Sequence, residues 1–160
     1  MPTAISIHQR RVSVECSEGC LWPSLPTKYI VLTGVLDTDP LEQELIDRFD
    51  IEMISAQDIK TLSENIHHQM KRLSQMTDII YVHVDLIDIV DQKDNPAIAF
   101  TFPEGPVSSE VATALEVIYK YEKAAALGIA SYPAGQDPDN MFLNAAFNII
   151  KGAIKGLKSR

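Results

Sequence analysis

Apolar residues along the chain alternate between continuous runs typical of buried strands and stripes with helical spacing. The run Tyr29–Leu36 predicts a strand, and Asp39 with Pro40 then supplies an N-cap and a residue suited to the first helical turn. A short amphipathic helix ending near Asp50 should follow. Its apolar positions are Leu41, Leu45, Ile46 and Phe49.

A second strand-helix unit comes next. Residues Ile51–Ser55 read as a strand, and Ser55 with Asp58 matches a capping box at the start of one helix. The apolar stripe of this helix is Ile59, Leu62, Ile66, Met70 and Leu73. The β-branched run Ile79–Leu86 then predicts the strongest strand of the chain, and it leads into the acidic segment Asp85–Asp91.

Two further helices and a strand complete the pattern. Ser108 and Ser109 suit the cap of a helix whose apolar side holds Val111, Leu115, Ile118 and Tyr119. Leu127–Tyr132 predicts a fourth strand. Asp137 or Asp139 should cap the last helix, for which one apolar face is predicted: Phe142, Ala146, Ile149, Ala153 and Leu157.

Strands that alternate with helices favour parallel pairing through right-handed crossovers. The predicted fold is therefore a single α/β domain over residues 1–160, a three-layer α/β/α sandwich with a mostly parallel sheet. The first 28 residues fit this scheme less well. Ile5–Ile7 and Val12–Val14 alternate like two short strands, which suggests an irregular segment or a hairpin.

Composition and charge narrow the classes of partner. The chain has 160 residues, 46% of them hydrophobic, and a net charge of −8, which disfavours nucleic acids and anionic membranes. Neither a membrane-spanning run nor a signal peptide is recognisable, so we expect a cytoplasmic protein. Cys16 and Cys20 fit no disulfide or zinc pattern and are interpreted as reduced thiols.

Acidic residues follow several of the predicted strands, where ligands bind in open α/β sheets. Oxygen donors in such a place suit a hard divalent cation. His83 and Asp85 are two residues apart on a strand and therefore share a face, so they are candidate metal ligands together with Asp88. The alternative is a buried histidine bonded to a neighbouring carboxylate. Asp88 and Asp91 lie three apart in a predicted loop, where solvated acidic residues are ordinary.

Other reactive groups form no recognisable constellation. His67 and His68 are adjacent on a predicted helix and do not converge on one ion, and His8 has no nucleophile beside it. No serine lies in a Gly-x-Ser-x-Gly elbow, and no glycine-rich phosphate loop is present, which disfavours nucleotide binding.

Four segments, taken in order, resemble the C-terminal half of the ureohydrolases, the family of arginase, agmatinase and formimidoylglutamase. They are Tyr29–Glu44, Asp78–Leu86, Phe102–Glu110 and Leu127–Pro133. The resemblance implies the arginase fold. It also implies a site with two manganese ions and a bridging hydroxide, whose ligands come from both halves of a longer chain.

Several functional residues of that family are replaced by other residue types in this sequence. Asp85 matches the first carboxylate of the Asp-x-Asp-x-x-Asp-Pro motif, but the second falls on Ile87, unless a bulge brings Asp88 into its place. Leu36 stands where the family has arginine, and Ala130 or Ser131 where it has an acid. The motif Asp-x-His-x-Asp has no counterpart.

Two functions are therefore expected from the resemblance. The first is a domain that is catalytically inactive by itself and acts as a binding or assembly module. The second is part of a manganese-dependent hydrolase of guanidino or amidino substrates, completed by a partner chain, with Asp85 and Asp88 in a shared site. A cut parallel sheet leaves an open edge, so we expect a homo-oligomer or a companion chain, unless Ile5–Val14 covers that edge.

Overall fold

The computed structural model describes residues 2–7, 25–92, 95, 98 and 104–160, with the backbone alone for 2–7. Within these ranges, five strands form one sheet in the order β3-β2-β1-β4-β5, and every pairing is parallel. The strands are β1 Pro2–Ile7, β2 Val31–Thr33, β3 Glu52–Ile54, β4 Ile79–Asp85 and β5 Ala124–Ala130.

Helices cover both faces of this sheet. They are α1 Pro40–Arg48, α2 Ala56–Thr61, α3 Glu64–Met76, α4 Ser108–Ile118 and α5 Met141–Lys158. Val31 belongs to the main core with α2 to α5, whereas Leu32 packs with Ile46 of α1. Because neighbouring strand residues point to opposite faces, α1 lies on the face opposite the other helices. The predicted α/β/α sandwich with a parallel sheet is confirmed.

Strand β1 corrects the prediction of an irregular segment or hairpin at the start of the chain. Its residues pair with β2 on one side and β4 on the other, with Ile5 opposite both Val31 and Val82. Residues 2–7 therefore lie in the middle of the sheet and cover neither edge. The predicted second strand Val12–Val14 lies outside the described residues, as do His8, Cys16 and Cys20.

Helix α1 begins as predicted but buries less than predicted. The carboxylate of Asp39 accepts hydrogen bonds from the backbone N–H groups of Leu41 and Glu42 at 2.8 and 2.9 Å. Of the four predicted apolar positions only Ile46 is buried, and Leu41 is 71% exposed. The helix packs on two short strands, β2 and β3, which give it little sheet surface to cover.

The predicted single helix after Ser55 is two helices, α2 and α3. Leu62 takes the left-handed conformation with φ 52°, and the Ser63 hydroxyl then caps α3 by accepting from the N–H of Asn65. Asp58 binds the Ser55 and Ser63 hydroxyls across this break. Burial acts to raise the Asp58 pKa, but hydrogen bonds from Ser63, Ser55 and Asn65 outweigh it and lower the pKa from 3.8 to about 2.

Helix α4 begins one residue earlier than a cap at Ser108 would allow. Val107 is the N-cap residue, and Ser108 is the first residue of the helix, so Ser108 and Ser109 are not caps. The carboxylate of Asp91 accepts hydrogen bonds from the N–H and the hydroxyl of Ser108, and it thereby caps the start of the helix instead of the two serines.

Helix α5 is preceded by Asn140, while the carboxylate of Asp137 accepts from the N–H groups of Phe142 and Leu143 at 3.1 Å. Asp137 is thus the capping acid of the two that were predicted. Phe142, Ile149 and Ala153 are buried as predicted. The assignment of Leu157 to that buried face is wrong, because its side chain is 41% exposed. None of the helices in the described ranges is long and apolar enough to cross a membrane.

Candidate functional site

Buried polar residues gather at the carboxyl ends of the strands. Seven polar or charged residues are buried in the described part of the chain, and five of them lie at this end of the sheet. Burying a polar group costs free energy unless it is hydrogen-bonded, so such a cluster marks the best candidate site. The five residues are Thr33, Asp85, Gln92, Asn95 and Ser108.

Strand β4 places Tyr81, His83 and Asp85 on one face, as the period of two requires. The Tyr81 hydroxyl lies 3.1 Å from Nδ1 of His83, and the two rings are 6.1 Å apart. The Tyr81 ring extends over Gly128 of β5, the residue that pairs with His83. His83 is therefore held in place from its own strand by a tyrosine.

Asp85 is the last residue of β4 and is 6% exposed. Its Oδ1 accepts a hydrogen bond from the backbone N–H of Ile87 at 3.2 Å, which caps the short 3-10 turn Leu86–Asp88. A turn thus begins where the resemblance called for a bulge. The irregularity in the pairing of β4 with β5 lies at the other end, between Ile80 and Tyr81.

A manganese pair needs several carboxylates and imidazoles around each ion. Within the described ranges no group of three or more His, Cys, Asp or Glu side chains is placed to hold a metal ion. The described residues therefore do not fit a manganese site by themselves. The assignment of Asp85, Asp88 and His83 as metal ligands stays a prediction.

Two buried polar side chains at this end of the sheet were not singled out from the sequence. Thr33 ends β2, and Gln92 ends a second 3-10 turn, Val90–Gln92. The Thr33 hydroxyl and both amide atoms of Gln92 are buried and have no hydrogen-bond partner in the part of the chain that the structure describes. The predicted strand Tyr29–Leu36 continued past Thr33, so the usable signal for the first was a polar residue inside an apolar run, and the structure ends the strand there. Nothing in the local pattern around Gln92 distinguishes it from a solvated loop residue.

The remaining candidates have structural partners. Asp91 holds the start of α4 through Ser108, and the Asn148 amide of α5 donates to the Ser108 hydroxyl at 3.4 Å. Nδ1 of His67 lies 2.8 Å from the Tyr121 hydroxyl, whose pKa is raised by burial and by the charge of Glu64.

A groove of about 300 Å³ lies between α4 and α5. Its charged members are Glu116, Lys151 and Lys155, and Lys155 pairs with Glu116 at 2.7 Å. None of Asp85, Asp88 and His83 lines it. The groove adjoins the start of α4, because Asn148 lines it and bonds Ser108, but it does not contain the candidate metal ligands.

The fold and the order of motifs define an α/β protein of the ureohydrolase type. A sequence profile described as the Arginase family matches residues 8–154, and the chain belongs to that family. The match includes most of the N-terminal segment, which the sequence resemblance had left out. No curated protein sequence matches the chain significantly.

Solved structures agree in fold. The chain is similar to formimidoylglutamase from Bacillus subtilis, with 18% identity and a TM-score of 0.80 over 98% of this chain and 53% of that one. An arginase from Bacillus caldovelox gives 19% identity and a TM-score of 0.68, over 82% and 44%. Agmatine ureohydrolase of Thermoplasma volcanium gives 21% and 0.57, over 82% and 44%. The chain spans about half the length of these relatives.

Proposed function

We propose that this domain does not hydrolyse guanidino or amidino substrates by itself and acts as a binding or assembly module of the arginase family. A hydrolytic metal pair has to be held by several ligands at once, and the described residues supply none of the necessary groups of three. A binding or assembly module needs the arginase fold as a scaffold but does not need a metal-bound hydroxide.

One observation carries this proposal. The position two residues beyond Asp85, where the family places its second carboxylate, is Ile87, and the N–H of Ile87 occupies one oxygen of Asp85. The local turn therefore binds the carboxylate to its own backbone and offers an apolar side chain in place of a second ligand. Asp88 comes only at the end of that turn.

The alternative is a manganese-dependent hydrolase completed by a partner chain. It is favoured by the burial of Asp85 at the carboxyl end of β4. In this case Asp85 and Asp88 would contribute to a manganese site whose other ligands come from that partner.

Hydrolysis by the purified chain tests the proposal. The protein is incubated with Mn²⁺ and then assayed separately with arginine, agmatine and formimidoylglutamate, with the Bacillus subtilis formimidoylglutamase as a positive control. We expect no turnover above the protein-free rate. Turnover that disappears in Asp85→Ala and persists in Asp91→Ala, whose carboxylate caps a helix, would refute the proposal.

A further inference from the structure

Helix α5 has two apolar faces, and the described part of the chain covers one of them. The covered face packs on α4 and the sheet through Phe142, Ile149 and Ala153. Gly152 and Gly156 lie directly against the α4 backbone on this side. The second face, which we name the α5 seam, consists of Leu143, Phe147, Ile150, Ile154 and Leu157.

The α5 seam has the spacing of a helix that packs against another helix. Its members are separated by four, three, four and three residues, which is the apolar repeat of coiled coils. Phe147 is 50% exposed and Ile154 43% exposed. Large apolar side chains aligned in this way form a contiguous patch of the kind that marks interaction sites.

The seam points away from α4. At about 100° per residue, Ile154 lies roughly 160° around the helix from Gly152, whose backbone contacts Ala112 of α4. Helix α4 also contacts α2 and α3, so it lies between them and α5 in the layer. The seam therefore faces outward, past strand β5.

Among the described residues, strand β5 is paired on one edge only, and its other edge lies on the same side as the seam. It pairs with β4, and it is the last strand of the sheet formed by the described residues. The strand Ala124–Ala130 contains no charged residue, and Ala125 and Ala126 are exposed. Proteins usually protect an edge strand with charges, proline or a covering element. Its sequence instead suits pairing with a further strand.

We propose that a second copy of this chain covers the α5 seam and the β5 edge together. A two-fold axis perpendicular to the sheet makes β5 antiparallel to its copy, so that the two sheets become continuous. The same rotation keeps both α5 helices on one face of the joined sheet and sets them antiparallel, seam against seam. One symmetric interface thus buries two surfaces that were recognised from independent observations.

Charge favours this antiparallel arrangement. Helix α5 has no acidic residue. Lys151 and Lys155 line the groove towards α4, whereas the exposed Lys158 follows Leu157 of the seam at the end of the helix. A parallel pair would bring the two Lys158 side chains to the same end. The antiparallel pair places each Lys158 near the start of the other helix, which the exposed Asp139 precedes.

The molecular mass in solution tests this inference. The inference of a dimer rests on the proposed assembly function. The dimer is detected by mass and the proposed function by the absence of hydrolysis, so failure of the dimer can be distinguished from failure of the proposed function. Light scattering after size-exclusion chromatography at micromolar concentration should give twice the 17.8 kDa of one chain. A monomer would overturn the inference, and so would a species in which a different chain binds the α5 seam.

Substitutions in the seam identify the surface. Phe147→Glu with Ile154→Glu would bury charges in the interface and should weaken the dimer about 100-fold or more. Leu41→Glu on α1, where the side chain is 71% exposed, is the matched control and should leave the dimer unchanged. A dimer that survives the double seam substitution would contradict the proposed surface.

A charge exchange tests the antiparallel orientation without inserting charges into the seam. Asp139→Lys and Lys158→Asp should each weaken the dimer several-fold, and the double variant should recover most of the loss. Additive weakening in the double variant would exclude the antiparallel pair. Circular dichroism of every variant confirms that the fold is retained.

Discussion

Gly152 lies so close to Ala112 that a Cβ at position 152 would stand 2.1 Å from the Ala112 carbonyl oxygen. Helices α4 and α5 therefore touch backbone to backbone, and Gly156 repeats the contact one turn later against Glu116. This approach fixes the rotation of α5, which in turn determines that the seam faces outward.

Gly152→Ala should destabilise the protein, because the backbone of α4 cannot move aside as a flexible side chain would. We expect a loss of about 1–3 kcal/mol in the free energy of unfolding, the range for overpacked cores. Urea denaturation measures it. Lys151→Ala, at the neighbouring exposed position, is the control and should change stability by less than about 0.5 kcal/mol. Equal stability of Gly152→Ala and the original chain would disprove the close approach.

Asp58 should make stability depend on pH in the acid range. Its pKa is about 2 in the folded protein against 3.8 in the reference state, so its contribution is present above pH 4 and is lost as the pH falls through 2. Asp58→Asn should lower stability by about 1–2 kcal/mol at neutral pH, and the difference from the original chain should shrink towards pH 2.

Urea denaturation of both proteins at several pH values between neutral and 2 measures that difference. Glu44→Gln, at an exposed position on α1, is the control and should follow the original chain throughout. A difference between Asp58→Asn and the original chain that stays constant with pH would argue against the pKa shift.

Gly128 and Tyr81 should be coupled, because a Cβ at position 128 would meet the Tyr81 hydroxyl at 1.8 Å. Gly128→Ala should cost about 1–2 kcal/mol, since the tyrosine has to leave its place beside His83. In a Tyr81→Ala background the same substitution should be neutral or stabilising, because alanine is a better strand residue than glycine. A double-mutant cycle by urea denaturation measures the coupling, and a coupling energy of zero would rule out the contact.

The local pattern of apolar and polar residues was sufficient to predict most strands and helices, but it did not predict which distant segments pair in the sheet. The strands β2 to β5 and the start of α1 follow from apolar runs and from the Asp39 cap. The central place of β1 does not, because Thr3 pairs with Ile80, far along the chain, and such pairing leaves no local trace. The break at Leu62 was hidden inside a continuous apolar stripe, although Ser63 was available as a cap.

Helix α5 shows a second limit. Apolar residues occupy two of its faces, so periodicity alone could not decide which face is buried, and Leu157 was assigned to the wrong one. At the candidate site, the sequence predicted the place of Asp85 at the end of β4. It did not predict the turn that follows. In that turn the Asp85 carboxylate accepts a hydrogen bond from the Ile87 N–H, and such a side-chain bond favours a turn over the continuation of the strand.

The manganese content of the purified chain tests the central claim most directly. The protein is incubated with excess Mn²⁺, freed of unbound ion and subjected to elemental analysis beside Asp85→Ala. If the domain does not form a hydrolytic site by itself, the metal content should be near zero in both proteins. About two ions per chain, lost in Asp85→Ala, would contradict the account and support the hydrolase function.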